Sequence, residues 1–291
     1  MRPYVDADLS RLWETYAGWI AEMGTCGYDH VGEVPYRIYA NLRGRGPVGD
    51  LVQLWEDGDD IVGLAINMRF GSAFDVFTAP SLHGTQAELA MLTTAAETTA
   101  RHLAGDAPVL TDVFSCDTTR IRLVTQLGFE RFRVWDDVNE RDLHEPIATP
   151  DVPAGFVVRE ARRGDAARLA AAHNDTFDED WTAEQYRSAV LSKPGYEMVA
   201  ESPDGRIAAF AGYWIDERNK LGHVEPVGTP PEFQRRGLAR AVLLEAMNQM
   251  HKRGMATVSV DHDAENLPAR ELYRSLGFVK QDETYGFRRD R

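Results

Sequence analysis

Apolar positions along the chain recur at two spacings. In "LARAVLLEAMNQMHKRG", Ala239, Val242, Leu243, Ala246 and Met250 fall on one face at helical spacing. His251, Lys252 and Arg253 then precede Gly254, the basic last turn and glycine with which helices commonly end. "ATVSVD" follows with β-branched residues and reads as a strand, and Asn266 is placed to cap a short helix over Leu267–Leu276 that Gly277 closes. Upstream, "LWEDGDDIVGLA" and "VAESPDGRIAAFA" each read as two strands joined by an Asp-Gly turn.

These elements occur twice. "RPYVDADLSRL" aligns with "REARRGDAARL", pairing Arg2 with Arg159, Asp8 with Asp165, Arg11 with Arg168 and Leu12 with Leu169. The two hairpins follow, then "VFTAP" and "VGTPP", then "LVTQLGFERF" and "LYRSLGFVKQ". Four matches in one order at a nearly constant offset indicate a duplicated unit. Each reads strand, helices, hairpin, strand, loop, helix, strand, helix, strand. The expected fold is α/β: two tandem units, each a central mixed, mostly antiparallel sheet with helices on both faces. Pro146, Pro150 and Pro153 mark a weakly patterned stretch, so the expected division is a first domain over 1–145, a linker over 146–155 and a second domain over 156–291.

With 43% hydrophobic and 27% charged residues, the chain reads as a globular protein. Its formal net charge of −14 argues against nucleic acid or an anionic membrane as partner, since both demand a basic footprint. The apolar runs are too short to span a bilayer, and the first ten residues lack the apolar core of a secretory signal. Cys26 and Cys116 are far apart and form no metal-spaced cluster or disulfide framework, which makes a reducing cytoplasm the expected location.

Against this acidic background, "QRRGLAR" places Arg235, Arg236 and Arg240 around Gly237 at the start of a helix. A helix N-terminus already carries partial positive charge, so arginines there are unfavourable unless an anion is bound. A strand leads into the turn and a helix leads out. Gly237 admits close backbone approach, so the turn suits a pyrophosphate.

The run Gln234, Arg235, Arg236, Gly237, Leu238, Ala239 resembles the Gln/Arg-x-x-Gly-x-Gly/Ala signature of the GCN5-related N-acetyltransferases (GNAT). "NLPARELYRSLGF" resembles that superfamily's second conserved segment, and the duplicated plan resembles its tandem, mycothiol synthase-like members, whose C-terminal copy is catalytic. The resemblance covers about the last third of the chain. It implies acetyl-CoA as cosubstrate and direct attack by an amine in a ternary complex; His262 and Asp263 have no third ligand in reach, so no metal is expected. Gln234, Arg235, Arg236, Gly237, Leu238, Ala239 and Arg240 would hold the pyrophosphate, Val227, Gly228 and Thr229 the pantetheine arm, and Asn266 would add a CoA contact beside its capping role. Tyr273 matches the family tyrosine that faces the CoA sulfur and would act as general acid; on spacing alone it is a helix aromatic packed on the sheet. Glu225 stands on the strand before the loop, where the family often keeps a base; on spacing alone it is an outward residue of an alternating strand.

The first copy departs from this pattern. It has "HGTQAEL" in place of the arginine loop, with Glu88 set against any phosphate, Val124 at the position of Tyr273 and Asp117 at that of Asn266. It is expected to have lost acetyl-CoA binding. In the second copy, "HNDTFDEDWTAEQY" offers Asp180 and Trp181 toward an acceptor, with His262 a further contact. Acid beside an aromatic suits a polyamine, an aminosugar or a peptide amine. A non-catalytic acyl-CoA-binding module is the alternative from another class. Mycothiol synthesis and protein amine acetylation stay open within the enzyme reading, as does the choice between monomer and homodimer.

Overall fold

The computed structural model describes residues 1–290 and divides into two compact units, Met1–Asp137 with Asp282–Arg291 and Val138–Gln281. The first unit opens with β1 (Arg2–Pro3), α1 (Leu9–Met23), α2 (Glu33–Tyr36) and α3 (Val48–Leu51). The strands β2 (Val52–Asp57), β3 (Asp60–Arg69) and β4 (Ala73–Thr78) follow, then α4 (Gln86–His102), β5 (Val109–Phe114), α5 (Thr118–Gln126) and β6 (Glu130–Asp142). The second copy runs β7 (Val157–Glu160), α6 (Ala166–Phe177), α7 (Ala183–Tyr186), β8 (Tyr196–Glu201), β9 (Ile207–Asp216), β10 (Leu221–Gly228), α8 (Leu238–Lys252), β11 (Thr257–Asp263), α9 (Leu267–Ser275) and β12 (Val279–Arg289).

The expected α/β class holds, and the strand pairing within each unit is mixed. In the first unit β1 to β4 pair antiparallel in sequence order, and β4 meets β5 in parallel. In the second, β7 to β10 pair antiparallel and β10 meets β11 in parallel. Both Asp-Gly turns join antiparallel strands, as their sequences predict.

The duplication reaches the side chains. Arg2 bonds Asp8 at 2.7 Å and Glu56 at 2.8 Å, while Arg159 bonds Asp165 at 2.8 Å and Glu201 at 2.5 Å. Arg11 and Arg168 complete the two clusters on the same carboxylates. In each unit one aspartate also accepts the N–H three residues earlier, from Val5 at 2.9 Å and from Arg162 at 2.7 Å, fixing the entry to the first helix.

The unit boundaries fall elsewhere than the proline stretch suggests. The first unit ends at Asp137, within β6, and Asp282–Arg291 belong to it; Thr284–Arg289 of β12 pair there with Phe114–Val109 of β5. Backbone pairing assigns a strand to a sheet, and proline content does not report it.

The cysteine expectation is overturned. Cys26, beyond α1, and Cys116, before α5, form a disulfide across 90 residues with a Cα–Cα distance of 6.1 Å. The fold brings the two loops together, which their separation in sequence concealed, and the argument for a reducing compartment loses its premise. No helix of the described residues is long and apolar enough to cross a membrane.

Candidate active site

The arginine loop lies between β10 and α8. Gly237 is the N-cap of α8 at φ +80°, and no side chain caps this helix. The first-turn N–H groups therefore lack an intrahelical partner, the usual condition of a helix start. A Cβ added to Gly237 would meet nothing within 4 Å, so the space over the turn is open. Arg235 also has positive φ, +62°, and is exposed together with Arg236 and Gly237. The Arg236 guanidinium donates to the Glu232 carbonyl at 3.0 Å and lies over the Phe233 ring at 5.6 Å. Arg240 donates to the Ser275 carbonyl at 3.1 Å and to its hydroxyl at 2.8 Å, which links α8 to the end of α9. The Gln234 amide donates to the Thr229 carbonyl at 3.2 Å and closes the loop onto β10. Leu238 is buried in the core beneath, with Ala239 partly so.

The corresponding loop of the first unit is filled by its own side chains. Thr85 caps α4 by accepting from the Glu88 N–H. The Glu88 carboxylate is fully buried, accepts the Gly84 N–H at 2.5 Å and bonds Arg120 at 2.8 Å. His83 spans the Glu88 and Asp117 carboxylates at 3.4 and 3.2 Å. These carboxylates push the His83 imidazole up to about 9. Glu88 sits at about 2, its burial outweighed by His83, Arg120 and the Gly84 N–H. A negative charge thus already stands where the second unit leaves open space beside arginines.

Pairing of β10 with β11 stops before the arginine loop. The parallel ladder of β10 and β11 covers Leu221–His223 and Thr257–Ser259, although both strands run on to Gly228 and Asp263. The strands part beyond His223, and the residues from Val224 to Gly228 include two of the three predicted pantetheine contacts, with Thr229 next in the chain. Val227 is half-buried, Gly228 is buried, and the Thr229 hydroxyl oxygen is buried with no hydrogen-bond partner among the described residues. Gly228 has a packing reason of its own: a Cβ there would lie 2.1 Å from the Phe210 ring.

Glu225, on the parted stretch of β10, and Tyr273 of α9 lie within electrostatic reach of each other. Burial raises the Tyr273 phenol well above its usual value, and the carboxylates of Glu225 and then Asp261 raise it further. The ring stacks on His262 at 5.6 Å and packs edge-on to Phe278 at 5.7 Å. Asn266 caps α9 by accepting the Ala269 N–H at 3.1 Å, which fixes the helix that carries Tyr273. His262 is buried, with Nδ1 2.9 Å from the Asp263 carbonyl. His223 was missed by the sequence reading. It is buried on β10 with Nδ1 2.8 Å from the Ser259 hydroxyl and Nε2 3.6 Å from the Glu225 carboxylate. Its signal was the two-residue spacing, which puts His223 and Glu225 on one face of a strand.

The two residues of α6–α7 expected to face an acceptor separate. Asp180 is exposed, whereas Trp181 is 6% exposed and packs against Tyr186 at 5.3 Å and His173 at 5.8 Å, its N–H donating to Glu179 at 2.6 Å. Trp181 therefore belongs to the packing between α6 and α7.

Residues 166–278 match the acetyltransferase (GNAT) family model. The chain is 29% identical over 195 residues to the mycothiol acetyltransferase of Thermobifida fusca, a match covering 56% of this chain and 60% of that protein. Against the mycothiol acetyltransferase of Thermobispora bispora it is 26% identical over 268 residues, covering 85% and 86%. A solved structure described as a tandem GNAT protein from the clavulanic acid biosynthesis pathway superposes with a TM-score of 0.67 at 16% identity, covering 99% of this chain and 97% of that one, a likeness of fold. With the family's sequence pattern in the second unit and a tandem fold along its length, the chain resembles the tandem GCN5-related N-acetyltransferases.

Proposed function

We propose that the chain is an acetyl-CoA-dependent N-acetyltransferase and that its second unit performs the reaction. The observation that carries this reading is the uncapped start of α8, open at Gly237 and flanked by exposed arginines, beyond the stretch where β10 and β11 part and Glu225 acts electrostatically on Tyr273. Helix-terminal N–H groups and guanidinium groups are the donors a pyrophosphate requires. The residues from Val227 to Thr229 would then line the pantetheine arm.

The cosubstrate brings an activated thioester, so positioning supplies much of the rate. Glu225 takes the proton from the attacking amine, and His223 beside it steadies the carboxylate. Tyr273, held protonated by its surroundings, returns a proton to the departing thiolate. No covalent intermediate on the protein is needed. The acceptor is a small primary amine, cationic or aminosugar-like, entering past Asp180 and His262. The first unit binds no acetyl-CoA, because Glu88 fills its loop.

Calorimetric titration with acetyl-CoA, followed by free-thiol release in the presence of an amine panel, tests the reading. Binding and amine-dependent release support it. Absence of acetyl-CoA binding overturns it, and binding without turnover for any amine favours the acyl-CoA-binding module.

A further inference from the structure

Glu197 lies on β8, separated from β10 by β9, and no step above uses it. Its side chain is buried, and its Oε2 has no hydrogen-bond partner among the described residues. The Tyr186 hydroxyl bonds the carboxyl. Directly opposite on β9 is Gly212, and beyond it β10 bulges: Val224 pairs with Tyr213 and Val227 with Ala211, so Glu225 and Pro226 together face Gly212. A Cβ on Gly212 would lie 2.5 Å from the Glu225 carbonyl oxygen and 3.2 Å from Glu197 Oε1. The bare Cα of Gly212 is thus what lets the carboxyl and the bulged carbonyl face each other.

A bulge re-aims the side chain it carries, and this one carries Glu225. A buried carboxyl with one oxygen unpartnered is most stable in its neutral form, which supplies the O–H that a carbonyl can accept. We infer that Glu197 is a positioning residue for acetyl transfer: its protonated carboxyl braces the Glu225–Pro226 bulge across Gly212 and so sets where the Glu225 side chain stands. The inference rests on the reading of Glu225 as the proton acceptor.

Burial pushes the Glu197 carboxyl up to about 8, against the opposing bond from Tyr186. The titratable group facing it from a neighbouring element is Tyr186 of α7, with His173 of α6 packed behind at 5.6 Å, while β10 turns the Glu225 backbone carbonyl toward it. From β9 it meets Gly212, and the Ala161 N–H beyond β7 bonds its backbone carbonyl at 2.7 Å. Above that pH the carboxylate can no longer donate, and two acceptor oxygens confront each other.

The test follows the Glu225 carboxyl carbon and the Val227 amide by NMR across pH 6–10, in wild type and in Glu197→Gln, whose amide keeps a donor and does not ionise. Both signals should show an inflection near pH 8 in wild type and lose it in the variant. Free-thiol release from acetyl-CoA with glucosamine or spermidine as the acceptor gives the second readout. Glu197→Ala should lower kcat about ten-fold with KM for acetyl-CoA unchanged, and Glu197→Gln should rescue kcat at pH 7 and extend it to higher pH. Gly212→Ala, which crowds both oxygens without changing a titratable group, should reproduce the loss if Glu197→Ala does not fold. Inflections that persist in Glu197→Gln overturn the inference, as does turnover abolished by that variant at every pH, which would mark a charged role. Failure of acetyl-CoA to bind would sink the acetyltransferase reading while leaving the NMR result on the brace intact.

Discussion

The Gly84 backbone N–H donates to the Glu88 carboxylate at 2.5 Å, so the loop that would meet a phosphate in the first unit already holds an anion of its own. In the second unit the equivalent turn has Gly237, no capping side chain and open space. Acetyl-CoA should therefore bind with a stoichiometry of one per chain in calorimetry. Glu88→Ala should create no second site, because Asp117 remains 3.2 Å from His83. It should also destabilise the first unit by about 3 kcal/mol, since buried Arg120 loses its closest carboxylate.

The same cluster sets a pH dependence. His83 is raised to about 9, so its contribution is complete below the ordinary value of 6.5 and is lost as pH climbs through 9. Glu88 is lowered to about 2, so its contribution is complete above 4.5 and fades as pH falls toward 2. Urea midpoints should plateau between those ordinary values and decline on either side. His83→Ala should flatten the alkaline decline, and an unchanged slope would show that the pair does not report folding.

Gly237→Val tests the phosphate turn. The left-handed φ of +80° costs a β-branched residue ~1–3 kcal/mol, and its side chain would enter the space assigned to the ligand. Acetyl-CoA affinity should fall by at least ~100-fold while far-UV circular dichroism stays native. Wild-type affinity in this variant would show that the pyrophosphate sits elsewhere.

Glu225→Gln and Tyr273→Phe should each lower kcat by about 10²–10⁴ with acetyl-CoA affinity preserved, because each removes a proton carrier without touching the arginine loop. His223→Asn should cost less, about ten-fold, since His223 steadies Glu225 from 3.6 Å and does not itself meet the amine. Steady-state kinetics on a single amine would rank the three, and a His223→Asn loss equal to that of Glu225→Gln would shift the base to the histidine.

Periodicity and turn chemistry were legible in the chain itself. Both Asp-Gly hairpins, the α8 face and the Asn266 cap depend on residues within a few positions of one another, so local spacing specified them. The duplicated Arg and Asp positions were legible as a repeat, while their ion pairing came from the fold. The loop contrast was visible too, since "QRRGLAR" and "HGTQAEL" differ in charge and glycine placement. Tertiary structure decided what depends on partners distant in sequence. Cys26 reaches Cys116 across 90 residues, and Thr284–Arg289 pair with β5 of the first unit. Trp181 turned inward because Tyr186 and His173 offer it a core, and His223 met Ser259 and Glu225 only once β10 and β11 had paired. Glu197 stands in a strand of ordinary appearance, and its chemistry comes from burial beside the bare Cα of Gly212 and the bulge at Glu225. Local backbone preference is written in neighbouring residues, whereas burial and electrostatic environment exist only once distant segments have packed.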